Sequence, residues 1–464
     1  MGTEVPERLM ANGIEQFDVI VIGAGPSGSV TSAYLNKHGL KVLVLERAVF
    51  PRFVIGESLL PLSMGHWEEA GLLPDLMKQN YAIKRGARFI RNGVVLDLAF
   101  AENFTEGWTW TWQVPRAHFD KVMADTASAA GVDIRYGHEV TKVDLDADDH
   151  AVVHARSGEK TMIAQAPFII DSSGYGGTLV SLFGLKDEPS GDGRMAMFTH
   201  VPETEEHRSI YKDPMQISFE IVETDLWFWS IPFSNGSTSL GFVGHKRHFT
   251  SIEASATTSE AFRKMLKTQK GFGTRYDAPE FLFEPKVIRD YAHYNEKLHG
   301  KHYVLTGNCA GFLDPVFSSG VAFATNSGLL AAKLHMKQRA GGTVDWEKDY
   351  AAPVREGAGV FRTYIDAWYN GDLHTIFFAP ELTQSIKEQI VSVLAGYVWD
   401  KKNPFVAKHD RIVRTLAQVV RMEAGSTASP GKLDAITAAF ANGNGNGGHG
   451  SSDVTNDQLS GAKA

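Results

Sequence analysis

The stretch Phe17-Asp18-Val19-Ile20-Val21-Ile22-Gly23-Ala24-Gly25-Pro26-Ser27-Gly28 decides the fold. Its first half is apolar and β-branched, which is typical of a strand buried on both faces of a parallel sheet. Its second half has the spacing G-x-G-x-x-G, and Pro26 can begin a helix that runs to Leu35 and ends at His38-Gly39. A strand, a glycine turn and a helix in this order predict a dinucleotide-binding unit.

The next strand completes that unit. Residues 41–46 read Lys-Val-Leu-Val-Leu-Glu, so an acid lies about twenty residues beyond the glycines, where a carboxylate can accept hydrogen bonds from a ribose. The helix N-terminus then faces the pyrophosphate. A plain tight turn would explain the glycines but not the elements around them. We therefore expect cofactor contacts from Gly23, Gly25, Ser27, Gly28, Glu46 and Arg47.

Composition favours a folded protein that acts on small molecules. The chain has 464 residues, of which 43% are hydrophobic and 22% charged, enough for one large discontinuous domain or two. A net charge of -8 argues against nucleic acid or anionic membrane as a partner. Cys309 is the only cysteine, which excludes an intramolecular disulfide and a multi-cysteine metal site, and we expect no metal. The polar N-terminus lacks the pattern of a signal peptide, so we expect a cytoplasmic protein without a membrane span.

The segment after the glycine unit points to FAD rather than NAD. Residues 51–61 read Pro-Arg-Phe-Val-Ile-Gly-Glu-Ser-Leu-Leu-Pro, which resembles the Gly-Glu-Ser stretch of the flavin-dependent halogenases. The resemblance implies that Ser58 and Arg52 border the flavin, although Arg52 alone reads equally well as a solvated residue. Residues 114–120, Val-Pro-Arg-Ala-His-Phe-Asp, resemble a helix start of the same flavoproteins in which the arginine, here Arg116, contacts the cofactor.

Residues 312–321, Phe-Leu-Asp-Pro-Val-Phe-Ser-Ser-Gly-Val, join a proline corner to an amide-rich turn. Converging backbone N–H groups in such a turn can hold an anion, and we call residues 315–320 the anion turn. The spacing Phe-x-x-Pro-x-x-Ser-x-Gly resembles a halogenase signature that lies beside the isoalloxazine ring. It implies flavin contacts from Pro315, Gly320 and Val321, and binding of chloride or bromide by Ser318, Ser319 and Gly320.

A second signature is the run Trp-x-Trp-x-Ile-Pro at residues 227–232. Side chains alternate along a strand, so Trp227, Trp229 and Ile231 share one face. The run could form ordinary core. Together with the Phe-x-x-Pro-x-x-Ser-x-Gly signature, however, it resembles the aromatic wall of the halogenases, which keeps the substrate away from the flavin. The resemblance adds Pro232 and Phe317 to this wall. The alternating Trp108, Trp110 and Trp112 form an aromatic face that could line a substrate pocket.

The resemblance implies a two-component reaction. A separate NAD(P)H-dependent reductase supplies FADH2, which forms a C4a-hydroperoxide with O2. The hydroperoxide oxidises chloride or bromide to hypohalous acid. A lysine then directs the hypohalous acid to an aromatic ring. Lys84 occupies the matching position, with Lys78 as a weaker alternative and a solvated lysine as the ordinary interpretation. A desolvated lysine loses its proton more easily than an arginine.

Two departures from the family pattern narrow the expectation. Asn308 stands where the family usually has an aspartate, so FAD is expected to be held more loosely. Phe317 replaces the glutamate of the tryptophan halogenases, which argues for a phenol, resorcinol or pyrrole rather than tryptophan. The sequence leaves open whether the ring arrives free or tethered to an acyl carrier protein. Cys309 reads as a packing residue rather than a nucleophile.

We predict an α/β fold: a doubly wound, glutathione-reductase-type FAD-binding domain (residues 17–85, 113–184 and 285–343), an antiparallel β-sheet substrate region (86–112 and 185–284) and a C-terminal helical lid (344–440). A polar N-terminal extension (1–16) and a disordered glycine-rich tail (441–464) flank them. The leading function is a halogenase of secondary metabolism. The alternatives are an aromatic hydroxylase on the same fold and, less well supported, a non-catalytic flavin-binding protein.

Overall fold

The structure, a computed structural model, describes residues 13–185, 193–203, 217–273, 275–380 and 382–424. Within these ranges the strands are β1 Ile14–Gln16, β2 Val19–Ile22, β3 Val42–Glu46, β4 Ala82–Lys84, β5 Gly86–Arg91, β6 Val94–Ala99, β7 Thr111–Gln113, β8 Asp133–Tyr136, β9 Glu139–Asp144, β10 Ala151–Ser157, β11 Lys160–Ala166, β12 Phe168–Asp171, β13 Arg194–Pro202, β14 Ser218–Glu223, β15 Leu226–Pro232, β16 Ser237–His245, β17 Lys286–Arg289, β18 His293–Tyr294, β19 His299–Gly300, β20 Tyr303–Leu305 and β21 Gly311–Phe312.

The helices of the described ranges are α1 Pro26–Lys37, α2 Leu62–Ala70, α3 Leu73–Met77, α4 Arg116–Ala129, α5 Thr178–Leu182, α6 Thr250–Glu253, α7 Thr258–Leu266, α8 Ser319–Arg339, α9 Ala352–Tyr369, α10 Asp372–Phe377, α11 Gln384–Leu394, α12 Pro404–Ala407 and α13 His409–Ala424. A π-helical turn, Trp346–Ala351, precedes α9.

The first layer is a six-stranded sheet in the order β19-β20-β12-β2-β3-β8. All of its pairs are parallel except β19–β20. Strands β2 and β3 are buried along their full length, as expected for strands covered on both faces. The helices α1 and α8 pack together at Gly328, where a Cβ would lie 2.7 Å from Oγ of Ser27. The predicted doubly wound FAD-binding fold is confirmed.

The second layer is a seven-stranded sheet in the order β17-β13-β16-β15-β14-β5-β6. Strands from both predicted inserts meet in it, because β5 pairs with β14. That pair is parallel, whereas the other pairs of this sheet are antiparallel, so the predicted antiparallel substrate region contains one parallel junction where the first insert joins the second.

Two of the smaller sheets include residues at the predicted boundaries. Strand β1 pairs with β11 in a four-stranded sheet, so residues 14–16 of the predicted N-terminal extension belong to the folded unit. Strand β4 precedes the first predicted insert, residues 86–112, and β7 lies at its end. The two strands pair with each other, and Lys84 lies directly opposite Thr111. The predicted tail, residues 441–464, lies outside the described residues, as does the end of the predicted helical lid.

The C-terminal helices cover one face of the seven-stranded sheet. Side chains of α9, α10, α11 and α13 form a single apolar core with Trp227, Trp229 and Phe317. The opposite face of the sheet packs against α7. Among the described helices, none combines the length and the apolar character that crossing a membrane requires.

Gly241 of β16 provides the space that the Trp229 ring occupies. The two residues lie directly opposite each other on adjacent strands. A Cβ at Gly241 would lie 2.3 Å from Cζ2 of Trp229. We expect Gly241→Ala to lower the free energy of unfolding by about 1–3 kcal/mol, because the ring must leave its site. Urea titration measures this.

Gly359→Ala is the matched control, since the new methyl group in α9 meets no atom within 4 Å. This change should raise the free energy of unfolding by about 0.5–1 kcal/mol through the helix propensity of alanine. Equal effects of the two substitutions would contradict the packing role of Gly241.

Candidate active site

A cavity of about 320 Å³ lies at the carboxyl ends of the parallel strands. Most of the predicted cofactor and wall residues line it: Gly25, Ser27, Glu46, Arg47, Arg52, Ser58, Arg116, Trp227, Trp229, Ile231, Asn308, Pro315, Ser318, Gly320 and Val321. A neighbouring cavity of about 240 Å³ shares Glu46 and Arg47 with it and is also lined by Gly23. We name the first the flavin cavity. Ligands bind at this edge of open parallel sheets, so its position suits a dinucleotide.

The glycine turn is held by close contacts that exclude side chains. A Cβ at Gly28 would lie 1.9 Å from the carbonyl oxygen of Gly23. Gly23 has a φ of +95°, in the region that favours glycine. Gly28 therefore packs against the backbone of Gly23, whereas Gly25 and Ser27 line the flavin cavity.

Three hydroxyls join the turn to the neighbouring strand ends. Ser27 donates to Oγ1 of Thr306 at 2.8 Å, and Oγ of Ser172 lies 2.7 Å from the same oxygen. Ser172 follows β12 and Thr306 follows β20, so three separate chain segments meet here. The sequence places Ser172 and Thr306 at the ends of two further strands before glycine turns, but it does not predict their contact, because the residues are 134 positions apart.

The carboxylate of Glu46 performs a structural task in addition to facing the cavity. It accepts hydrogen bonds from the backbone N–H of Ala24 at 2.9 Å and of Ala48 at 2.8 Å. Its position at the end of β3 agrees with the predicted ribose contact. The two bonds orient the carboxylate between the glycine turn and the cavity.

Arg116 and Arg52 are both tied to Asp120. Arg116 pairs with Asp120 at 2.8 Å and donates to the backbone oxygens of Ile55 and Gly56. Arg52 reaches the same carboxylate at 3.4 Å and lies over the Phe50 ring. Much of the hydrogen-bonding capacity of Arg116 therefore holds the loop that carries the Gly-Glu-Ser residues against α4, while its side chain also borders the flavin cavity.

The Gly-Glu-Ser loop presents buried polar atoms to the cavity. Within the described residues, Oγ of Ser58 and Oε2 of Glu57 are buried and have no hydrogen-bond partner. Oε1 of Glu57 lies 2.6 Å from Nε2 of His200. Buried polar atoms without partners are costly, so their presence in a cavity lining indicates a polar ligand. These groups fit the hydrogen-bonding edge of a flavin.

The anion turn has the strained backbone expected of a binding turn. Ser318 adopts a φ of +58°, which is rare for a residue other than glycine, and its N–H donates to the carbonyl oxygen of Pro315 at 3.0 Å. Helix α8 begins directly after it at Ser319. Ser318 and Gly320 line the flavin cavity, whereas Ser319 lines a separate small cavity with Gly320.

The predicted wall is a real face of β15. Trp227, Trp229 and Ile231 all line the flavin cavity, as their alternation predicted. Pro232 ends the strand, and its carbonyl oxygen accepts a hydrogen bond from Gln113 at 2.6 Å. Phe317 lies elsewhere, in the cavity that contains Lys84.

Lys84 lies in a second, smaller cavity of about 20 Å³, which we name the lysine cavity. Its amine is buried and donates to the carbonyl oxygen of Leu59 at 2.8 Å. Burial lowers the pKa of this amine to about 7. Lys78, the weaker alternative, is instead exposed at the surface and pairs with Asp75. Of the two lysines, only Lys84 has the environment of a reactive amine.

The two cavities share Ser318 and Phe219. Apart from Lys84 and Ser318, the lysine cavity is lined by apolar side chains: Leu60, Ala87, Phe89, Leu98, Phe100, Phe219, Val316, Phe317, Val391 and Leu394. Phe219 was missed in the sequence, because a lone phenylalanine in a strand carries no signal of its position between two cavities. Val391 and Leu394 belong to α11, which places the predicted lid region against the lysine cavity.

Other predicted residues lie away from the chemistry. Cys309 is buried beside Asp171, and burial raises the pKa of its thiol well above the ordinary value, which agrees with a packing role. Trp112 packs on Trp67 in the core of the FAD-binding unit. Trp108 lines a separate groove. In the described structure the tryptophan face at 108–112 lines neither the flavin cavity nor the lysine cavity.

Comparison with known proteins agrees with this geometry. The sequence profile of the FAD binding domain family matches residues 16–273. A 1H-pyrrole-2-carbonyl-[peptidyl-carrier protein] chlorinase of Pseudomonas fluorescens is 27% identical, over 83% of this chain and 90% of the relative. A corresponding brominase of Pseudoalteromonas luteoviolacea is 26% identical, over 83% and 93%. A solved flavoprotein/dehydrogenase of Cytophaga hutchinsonii is 43% identical with a TM-score of 0.84, covering 88% of this chain and 100% of that chain.

The burial of Lys84 makes a prediction about stability and pH. The unfolded chain keeps this amine protonated to about pH 10, whereas the folded pKa is about 7. Between these values the unfolded state binds the additional proton, so stability rises with pH in the wild type relative to Lys84→Met, by up to about 1.4 kcal/mol per pH unit. Urea unfolding of both proteins from pH 6 to pH 10 measures the difference.

Lys78→Met is the control, since this side chain is 71% exposed. Its stability should follow the wild-type curve at every pH. If the Lys84→Met and wild-type curves also run parallel, Lys84 does not lose its proton in the folded protein.

Proposed function

Because this chain belongs to the FAD binding domain family and has flavin-dependent halogenases among its relatives, we propose that it halogenates a small electron-rich aromatic ring. The reaction consumes reduced FAD, O2 and chloride or bromide. The single observation that carries the proposal is the arrangement of two cavities on either side of Ser318, one lined by the cofactor motifs and the other containing the amine of Lys84.

Reduced FAD, when bound in the flavin cavity, supplies with O2 the two-electron oxidation that converts halide to hypohalous acid. The residues that would hold it are those of the glycine turn, Glu46, Arg47, the Gly-Glu-Ser loop and Asn308. The neutral amide of Asn308 adds no charge to the site, which suits a cofactor that is exchanged with a separate NAD(P)H-dependent reductase. That dependence on NAD(P)H supports a cytoplasmic location.

The anion turn is the proposed halide site. Ser318 and Gly320 line the flavin cavity at the N-terminus of α8, where backbone N–H groups and the helix dipole favour an anion. Trp227, Trp229 and Phe312 contribute apolar side chains to the same cavity. We propose that the wall keeps the aromatic substrate out of the flavin cavity, so that only the small oxidant moves between the two cavities.

Lys84 is the proposed catalytic residue. With a pKa of about 7, its amine is present in both the neutral and the protonated form near neutral pH. The protonated form can donate a hydrogen bond to hypohalous acid. The neutral form can attack the halogen, so that an N–halogen bond forms as the O–halogen bond breaks, and the released hydroxide leaves as water with a proton from the amine. Both routes deliver an electrophilic halogen to the lysine cavity, where the ring must lie.

The lysine cavity supports a compact, uncharged substrate. Apart from the reacting amine of Lys84, its lining offers no cation that could pair with a substrate carboxylate. It also offers no acidic side chain that could pair with a substrate ammonium. In this structure it has room for about one water molecule, so a ring requires Phe317, Phe89 or the α11 side chains Val391 and Leu394 to move. We propose a pyrrole, phenol or resorcinol. The two carrier-protein halogenases among the relatives favour a pyrrole-2-carbonyl group delivered on a carrier protein.

The proposal is tested by mass spectrometry of the products. The protein is supplied with FAD, NADH, a flavin reductase, O2 and bromide, together with free phenols, resorcinols, pyrroles and indoles or with a pyrrole-2-carbonyl carrier protein. We expect a brominated ring, recognised by its isotope doublet, with the carrier-bound pyrrole or a free electron-rich ring and not with tryptophan. Lys84→Ala should lose halogenation and keep oxidation of reduced flavin.

Lys78→Ala is the matched control and should brominate like the wild type, since its amine lies at the surface. Addition of oxygen alone, independent of bromide, would replace the halogenase by a hydroxylase. Unchanged substrates in every mixture would favour the non-catalytic flavin-binding alternative. Retained bromination in Lys84→Ala would remove this lysine from the mechanism.

The halide site makes a separate prediction. Ser319 is buried in the first turn of α8, next to the proposed anion position. A leucine there crowds the turn, so Ser319→Leu should raise the halide concentration needed for half-maximal rate by about tenfold or more, which corresponds to about 1.4 kcal/mol of lost anion binding. Halide titration at saturating reduced flavin measures it. An unchanged half-saturation would place the halide elsewhere.

A further inference from the structure

The carboxylate of Asp314 is buried where three parts of the molecule meet. Asp314 directly precedes the proline of the anion turn and accepts the N–H of Val316 at 3.0 Å. Its Oδ2 also accepts hydrogen bonds from Arg194 of β13 at 2.8 Å and from the hydroxyl of Tyr291 at 3.0 Å. A carboxylate removed from water is tolerated only when its oxygens are fully hydrogen-bonded, and these donors provide that.

A fourth donor comes from the C-terminal helices. Tyr369, the last residue of α9, donates its hydroxyl proton to Oδ2 of Asp314 at 3.1 Å. The same hydroxyl accepts the indole N–H of Trp227 at 3.1 Å. One phenol can do both, because it has a single O–H and free lone pairs. The chain Trp227, Tyr369, Asp314 therefore connects the aromatic wall with the anion turn.

The wall and the turn are also linked by packing, because the Trp368 ring contacts both Trp227 and Phe317. Trp227 lies on β15 and Pro315 on a loop after β21, and the described structure gives no direct hydrogen bond between the wall tryptophans and the turn. The Tyr369 ring is held independently of its hydroxyl, since the guanidinium of Arg194 lies 4.5 Å from the ring centroid. Removing the hydroxyl should thus remove the hydrogen-bonded connection and leave the ring in place.

We propose that Tyr369 is a positioning residue that holds the Trp227 wall and the anion turn in one fixed arrangement through Asp314. This inference rests on the proposed function for its chemical meaning, because the arrangement decides how the halide site and the wall face each other. It also assigns the C-terminal helical region a role in the flavin cavity, in addition to its contact with the lysine cavity.

The test compares Tyr369→Phe with the wild type in two measurements. Hydrogen exchange of the backbone amides of residues 316–320, measured on the cofactor-free protein, should become about tenfold faster, since a hydrogen bond to a charged acceptor is lost. In the loaded enzyme the halide concentration for half-maximal rate should rise about three- to tenfold, while the rate at saturating halide changes by less than about twofold.

Tyr364→Phe is the matched control. This tyrosine is buried in the same helix, and its ring packs edge-on against Phe317 of the turn, which phenylalanine would preserve. Its hydroxyl donates to the carbonyl oxygen of Phe405 at 3.3 Å and makes no bond to Asp314 or Trp227. It should lose a comparable hydrogen bond with no change in exchange at residues 316–320 or in halide dependence. Tyr291→Phe removes a different donor to Asp314 and should speed exchange in the turn, which keeps the proposal testable if Tyr369→Phe does not fold.

Exchange in Tyr369→Phe that equals the wild type, or equals Tyr364→Phe, overturns the proposal. A turn that loosens without any rise in the halide requirement overturns its functional part. The exchange measurement needs neither cofactor nor halogenation, so it decides the positioning role of Tyr369 even if the proposed reaction fails.

Discussion

The hydrogen-bonded hydroxyls of Ser27, Ser172 and Thr306 are the constraint on which the cofactor site depends. Ser172 and Thr306 follow the strands β12 and β20, and Ser27 lies in the glycine turn at the start of α1. Because buried hydroxyls are stable only when they are paired, these bonds hold the two strand ends and the start of α1 at one spacing. The flavin cavity is the space that this spacing leaves open.

The second sheet and the C-terminal helices turn that crevice into a divided site. Strand β15 closes the flavin cavity with Trp227 and Trp229, while Phe219 on β14 and Ser318 separate it from the lysine cavity. In the proposed reaction this division separates the flavin cavity from the cavity that contains Lys84. The burial that removes Lys84 from water also lowers the pKa of its amine to about 7.

Much of the site was predictable because its motifs are local. The glycine turn, the acid at Glu46 and the alternation of Trp227 with Trp229 follow from the geometry of turns and strands, and the structure places all of them at the flavin cavity. Arg116 is an intermediate case. Its position beside the cavity was expected, but its partnership with Asp120 and with the backbone of Gly56 depends on a loop that folds back onto α4. The tryptophan face at 108–112 shows the opposite outcome, since the same alternation there serves a core and a separate groove.

The sequence by itself determined the nucleotide-binding unit, the family and the order of the chemical motifs, because each of these depends on residues within about twenty positions of one another and on the fixed periods of helix and strand. Only the tertiary structure decided how the motifs face each other. Contacts between distant segments decide four features of the site. They place Phe219 in the lining of both cavities, separate Ser319 from Ser318, bury Lys84 and join Asp314 to Tyr369. Side-chain packing and the pairing of buried polar groups select those contacts, and neither leaves a periodic trace in the sequence.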